Sequence, residues 1–140
     1  MKVLQLCNKP PYPAIDGGCI AMKNISTGLL NNNVDLKVIC ISTEKHPFSI
    51  ENFPTDYVQQ TNVESVFLDT KLNIVDAFSA IITSDCYNVS RFFSADLDIK
   101  IKQNLKENNY DFVILESLFL SPYICTIQNN SDAKIVLRSH

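Results

Sequence analysis

Apolar and polar positions follow two different periods along this chain, and the changes of period mark its elements. Lys2-Val3-Leu4-Gln5-Leu6-Cys7 is a short apolar run that stops at a proline-rich loop, the pattern of a buried first strand over 2–7. From Gly17 to about Asn32 the period changes: Ala21, Met22, Ile25, Leu29 and Leu30 recur at three- and four-residue intervals. Lys23, Asn24, Ser26 and Asn31 are expected to face away, so the stretch predicts an amphipathic helix. Asp16 suits its N-cap, and Asn31-Asn32-Asn33 offers a residue tolerant of left-handed backbone at its end. Residues 36–42 predict a second strand, a loop holding His46-Pro47 and Pro54 follows, and 63–68 predict a third strand.

Ile74, Phe78, Ile81 and Ile82 mark a helix, and Leu97, Ile101 and Leu105 another that starts near Ser94 and ends at Asn108-Asn109. Between them Tyr87 to Phe93 reads as an exposed connection. Residues 111–116 predict a fourth strand, whose four consecutive apolar residues imply that both sheet faces are covered. Ser117 can cap a short helix, interrupted or started by Pro122 and running to about Asn129, before a fifth strand over 133–138. Strands alternating with helices give an α/β fold: a Rossmann-like open parallel sheet flanked by helices, wound right-handedly, with the first strand central. The chain stops two residues after that fifth strand with no covering helix, so the expectation is a truncated N-terminal domain, residues 1–140, of a longer protein.

Composition narrows the class. A chain of 140 residues, 46% hydrophobic and 19% charged, can bury enough core to fold as one domain without staples. A net charge of −3 argues against a nucleic-acid binder, which would select clustered excess Lys and Arg. No apolar run approaches the roughly 20 residues needed to span a bilayer. The apolar stretch Val3 to Cys7 is shorter than the core of a signal peptide, so the expected location is cytoplasmic. The five cysteines form no C-x-x-C pair and are odd in number, which fits free thiols in a reducing compartment better than metal ligands.

In an open parallel sheet, ligands sit beyond the carboxyl ends of the strands where strand order reverses. That rule selects the loop Asn8 to Gly18, the segments Ser42 to His46 and Asp69 to Lys71, Glu116-Ser117 and Ser139-His140. The first loop delivers Gly17 and Gly18 to a helix start, stiffened by Pro10, Pro11 and Pro13. Two readings stay open for the glycines: a turn, or a phosphate site in which unpaired N–H groups and the helix dipole meet an anion. The loop is too long for a dinucleotide fingerprint, in which Glu44 would be the ribose ligand. Glu116 reads equally as a ligand or as a carboxylate facing the next helix's dipole, and Lys9 as a nearby positive charge or a solvated lysine. His140 ends the chain on the same side; His46 reads as a loop residue.

Several segments together resemble the N-terminal domain of a GT-B glycosyltransferase of the family 4 type. They are Lys9-Pro10-Pro11-Tyr12-Pro13 with Gly17-Gly18, Tyr110 to Phe119 with Pro122-Tyr123, Arg91-Phe92 within Tyr87 to Phe93, and Val136-Leu137-Arg138-Ser139-His140. The resemblance spans the chain in order, with Asn33-Val34-Asp35 where the family commonly has Gly-His. It implies retaining transfer of a sugar from a nucleotide-sugar donor to an acceptor hydroxyl, on a glycan, lipid-linked or small-molecule acceptor. It implies no cofactor and no metal. It also implies a C-terminal donor-binding domain, absent from these residues, and allows peripheral membrane contact through the full-length protein. By position, His140 is implied as the catalytic-side contact to the transferring sugar or acceptor, with Gly17, Gly18, Lys9 and Glu116 binding substrate. The competing class is a nucleotide- or sugar-binding module without catalysis.

Overall fold

A computed structural model describes residues 1–70 and 93–139. The described elements run β1 (Lys2–Cys7), α1 (Gly17–Asn31), β2 (Asp35–Ser42), a 3-10 turn (Ile50–Asn52), α2 (Thr55–Thr61), β3 (Glu64–Phe67), α3 (Ala95–Glu107), β4 (Phe112–Leu115), a 3-10 segment (Leu118–Tyr123), α4 (Ile124–Asn130) and β5 (Lys134–Leu137). The strands form one sheet of order β3-β2-β1-β4-β5, and every pairing is parallel. The expected α/β architecture with β1 at the centre is therefore present. The helix expected around Ile74 to Ile82, and the connection from Tyr87 as far as Phe92, lie outside the described residues.

The alternation of β1 sorts the core into two layers. Leu4 and Leu6 join Ile39, Ile41, Val113 and Leu115 against Leu97 and Ile101 of α3 and Ile127 of α4. Val3 and Cys7 join Val38, Cys40 and Ile114 against Met22 of α1 and Tyr57 of α2. Covering both faces explains the near-continuous apolar strands, since each buried Leu or Ile contributes roughly 1.5–3 kcal/mol relative to exposure.

Local signals fix the helix ends. Asp16 accepts a 2.8 Å bond from the Cys19 N–H and caps α1, and Ser94 accepts from Leu97 N–H at the start of α3. Asn33 supplies the left-handed residue, at φ 57°, between α1 and β2. Ser117 accepts from the Phe119 N–H and opens the 3-10 segment, with α4 starting two residues after Pro122.

Two expectations are corrected. Ser26 is fully buried on the inward face of α1, because its hydroxyl is bonded on both sides by Gln5 and Tyr57. The stretch expected as a loop through Pro54 contains the 3-10 turn and α2. There Phe53 and Tyr57 pack on Tyr12 at ring separations of 5.3 and 5.1 Å, and Phe48 packs on Phe53 at 5.2 Å. That aromatic cluster anchors the proline-rich loop to the α2 side of the sheet.

Candidate functional site

Strand order reverses between β1 and β4, so the crevice to inspect lies between the loop after β1 and the residues after β4. The loop turns through a cis Tyr12-Pro13 peptide, the Ile15 N–H donates to the Pro13 carbonyl at 2.9 Å, and the Cys19 thiol donates to the Pro10 carbonyl at 3.4 Å. Lys9 reaches forward over the start of α1, where its ammonium donates to the Asp16 carboxylate at 2.7 Å. The Lys9 bond, followed by the Cys19 N–H, holds the Asp16 carboxyl well below the usual carboxylate range. Lys9 also covers Gly18: a Cβ placed there would stand 3.1 Å from its Nζ and 3.2 Å from its Cε. A Cβ at Gly17 would meet nothing within 4 Å.

The first intrahelical bond of α1 belongs to Ile20, and Cys19 is satisfied by the cap. The N–H groups of Gly17 and Gly18 are the remaining donors of that first turn, with no acceptor among the described residues. Lys9, Gly17 and Gly18, picked out by sequence, are thus brought together.

Glu116 is placed differently from either sequence reading. It is fully buried just beyond β4. One carboxylate oxygen accepts from Gln5 Nε2 at 2.6 Å and the other from Arg138 Nη1 at 2.5 Å. Gln5 Oε1 in turn accepts from Ser26 at 2.7 Å, and the Tyr57 hydroxyl donates to Ser26 at 3.0 Å. A line of polar groups therefore crosses the α1 face beneath the crevice, from Tyr57 through Ser26, Gln5 and Glu116 to Arg138. Burial pushes the Tyr57 hydroxyl and the Cys7 thiol up, and lifts Cys40 to about 12. Those groups stay protonated at neutral pH. Glu116 faces the crevice through Arg138, whose side chain keeps 28% of its exposure.

Sequence reasoning missed Gln5 and Arg138 as site residues. The signals were a single polar side chain inside an apolar strand and an arginine ending the fifth strand. His140 lies outside the described residues. Glu44 is exposed in the loop after β2.

A hollow of about 410 Å³ is at the opposite, amino edge of the sheet, lined by Lys2, Asp35, Lys37, Glu64 and Lys100 among others. Its charges answer one another, with Lys37 and Lys100 both on Glu64 at 2.7 and 3.2 Å. Beside the proline-rich loop an apolar hollow of about 230 Å³ is walled by Pro10, Tyr12, Pro13 and Ile15. Among the described residues no group of three or more His, Cys, Asp or Glu could hold a metal ion, and no helix is long and apolar enough to cross a membrane. No protein-family model, no curated protein and no solved structure matches this chain.

Proposed function

We propose that this chain is the N-terminal, acceptor-side domain of a retaining glycosyltransferase of GT-B architecture, moving a sugar from a nucleotide-sugar donor to an acceptor hydroxyl. The observation that carries the reading is the start of α1. Two glycine N–H groups without an acceptor among the described residues open α1 at the sheet's switch point, and the Lys9 ammonium lies beside Gly18. As a glycosidic bond breaks, negative charge grows on the leaving diphosphate, and fixed donors aimed there stabilise it more in the transition state than before. Lys9 carries three N–H donors, so one can hold Asp16 while another meets a phosphate oxygen. Glu116 positions Arg138 at the next strand end, and the apolar hollow beside Tyr12 gives the non-phosphate part of a ligand a wall. His140 enters by the resemblance alone, as the contact to the transferring sugar or acceptor. A cytoplasmic location goes with this reading, and so does a second α/β domain that completes the donor site, because one wall of a cleft cannot orient both reactants.

The test uses a protein carrying both domains, assayed with a panel of nucleotide sugars. Gly18→Val obstructs phosphate approach and displaces Lys9, and should lower kcat by about 10²–10³, the loss of one well-placed oxyanion donor. Asn24→Ala, on the exposed side of α1, should leave kcat unchanged. Thermal unfolding is measured on each variant. Full turnover by Gly18→Val, or activity lost only in proportion to folded protein, would make the glycines a turn. Saturable donor binding without turnover would favour a non-catalytic binding module.

A further inference from the structure

A second hollow on the carboxyl edge, about 200 Å³, shares Lys9 with the α1 start. Lys9, Lys45 and His46 line it, with Asn8, Thr43 and Thr70 adding polar groups and Phe119 an aromatic ring. Two loops thus bring three basic side chains to one small cavity. Thr43 Oγ1 accepts the His46 N–H at 3.0 Å, and the Thr43 N–H donates to the His46 carbonyl at 3.1 Å. That paired contact closes the turn after β2 and sets Lys45 and His46 at the cavity mouth, while the Thr43 hydroxyl keeps its own proton to donate.

Among the described residues that line the cavity three are basic and none is acidic. Lys45 makes no ion pair among the described residues. The acid that acts on His46 is Asp16, already bonded to Lys9 and to the Cys19 N–H; Glu44 and Asp69 are exposed on the flanking loops. Burial first, then Lys9 and Lys45, hold the His46 imidazolium below its ordinary range, against a smaller opposing pull from Asp16. Gathering cations around a partly buried imidazole is unfavourable in the empty cavity, and an entering anion removes that cost.

We infer that this cavity binds the phosphate group of a small phosphorylated ligand, with Lys9, Lys45 and His46 as its donors and Phe119 beside the ligand's carbon skeleton. Two compact ammonium groups and an imidazole N–H, with hydroxyl and amide groups between them, suit a tetrahedral dianion better than a flat carboxylate. The inference shares Lys9 with the transferase reading but does not rest on it: Lys45 and His46 are not at the α1 start, and binding here needs no sugar transfer.

The chain has two histidines, so the imidazole C–H resonances can be followed by NMR, the His46 signal being the one missing from His46→Gln. Inorganic phosphate and phenyl phosphate are the probes, with chloride at matched ionic strength as the screening control. Saturable phosphate binding should raise the His46 pKa, because an anion favours the imidazolium, while chloride should not reproduce the shift. Lys45→Met should raise the His46 pKa in the free protein and weaken phosphate about tenfold, the loss expected for one charge-assisted contact. Phenyl phosphate should bind more tightly than phosphate, and Phe119→Ala should erase that difference. Absence of saturable binding, an equal shift in chloride, or unchanged affinity in Lys45→Met would each overturn the assignment. Phosphate binding that survives Lys45→Met and leaves the His46 resonances unmoved would place the anion at the α1 start instead.

Discussion

Arg138→Met removes the guanidinium from the buried Glu116 carboxylate and leaves its volume roughly filled. Glu116 then keeps Gln5 Nε2, at 2.6 Å, as a neutral donor. Removing one partner of a buried ion pair costs about 3–5 kcal/mol, because the other charge stays out of water. Glu116 is fully buried, but Arg138 is 28% exposed, so water that enters where the guanidinium stood recovers part of the loss. The expected cost is therefore at the low end, about 3 kcal/mol at pH 7. With about 2.1 cal/mol/K of unfolding entropy per residue, this corresponds to a Tm lowered by on the order of 10 °C.

Removing the carboxylate as well separates a buried charge from lost packing. Differential scanning calorimetry of wild type and variant at pH 7 measures the gap. Adding Glu116→Gln should recover at least half of the loss at pH 7, since replacing a whole buried pair is often near neutral. A deficit under about 1 kcal/mol, or one that Glu116→Gln does not relieve, would mean that the polar line beneath the crevice does not hold Arg138.

Two more outcomes are checked on the same protein. Asp16→Ala removes the α1 cap and the partner of Lys9, and should cost about 1 kcal/mol by urea unfolding at pH 7, not more, because the Asp16 side chain is 40% exposed. Its folded pKa is depressed by Lys9 and the Cys19 N–H, so the wild-type advantage is complete above the unfolded value near 3.9 and narrows as pH falls through the acid range; a gap that widens on acidification would contradict the cap. Iodoacetamide followed by mass spectrometry should label exposed Cys125 well before buried Cys7 and Cys40, whose thiols burial keeps protonated; early labelling of Cys40 would place β2 outside the core.

What could be read from the sequence was what is encoded locally. The runs of β1, β2 and β4, the stripe of α1 and the caps Asp16 and Ser94 are each set by neighbours within a turn or two, and the structure carries them at nearly the expected bounds. α2 escaped because it is seven residues long and sits behind Pro54, so its apolar pattern is too short to declare a period. The available signal was Asp56 in a first turn and Tyr57 four residues from Thr61, both buried. Ser26 was misplaced for a related reason. Periodicity assigns polar residues outward, and only the fold shows that Gln5, 21 positions earlier, supplies its partner. Gln5 and Glu116 are 111 residues apart in sequence, and nothing short of the sheet order brings them within hydrogen-bond reach.

Volume alone would choose the wrong edge of this sheet. The amino-edge hollow of about 410 Å³ exceeds the two of about 230 and 200 Å³ at the carboxyl edge, yet Lys37 and Lys100 share Glu64 and Lys2 stands 3.6 Å from Asp35, so an entering charged ligand would have to break pairs already made. At the carboxyl edge the hollows are smaller, but their electrostatics are incomplete. Among the described residues the first two N–H groups of α1 lack acceptors and Lys45 lacks an acid, and Arg138 spends one donor on Glu116 while its side chain stays 28% exposed. Dipoles and cations without a counter-charge make binding of an anion favourable there, because the polar groups that receive it need no rearrangement. The buried line from Tyr57 to Arg138 lies under that edge on the α1 face. It fixes the floor of the crevice while leaving the donors above it open to a ligand.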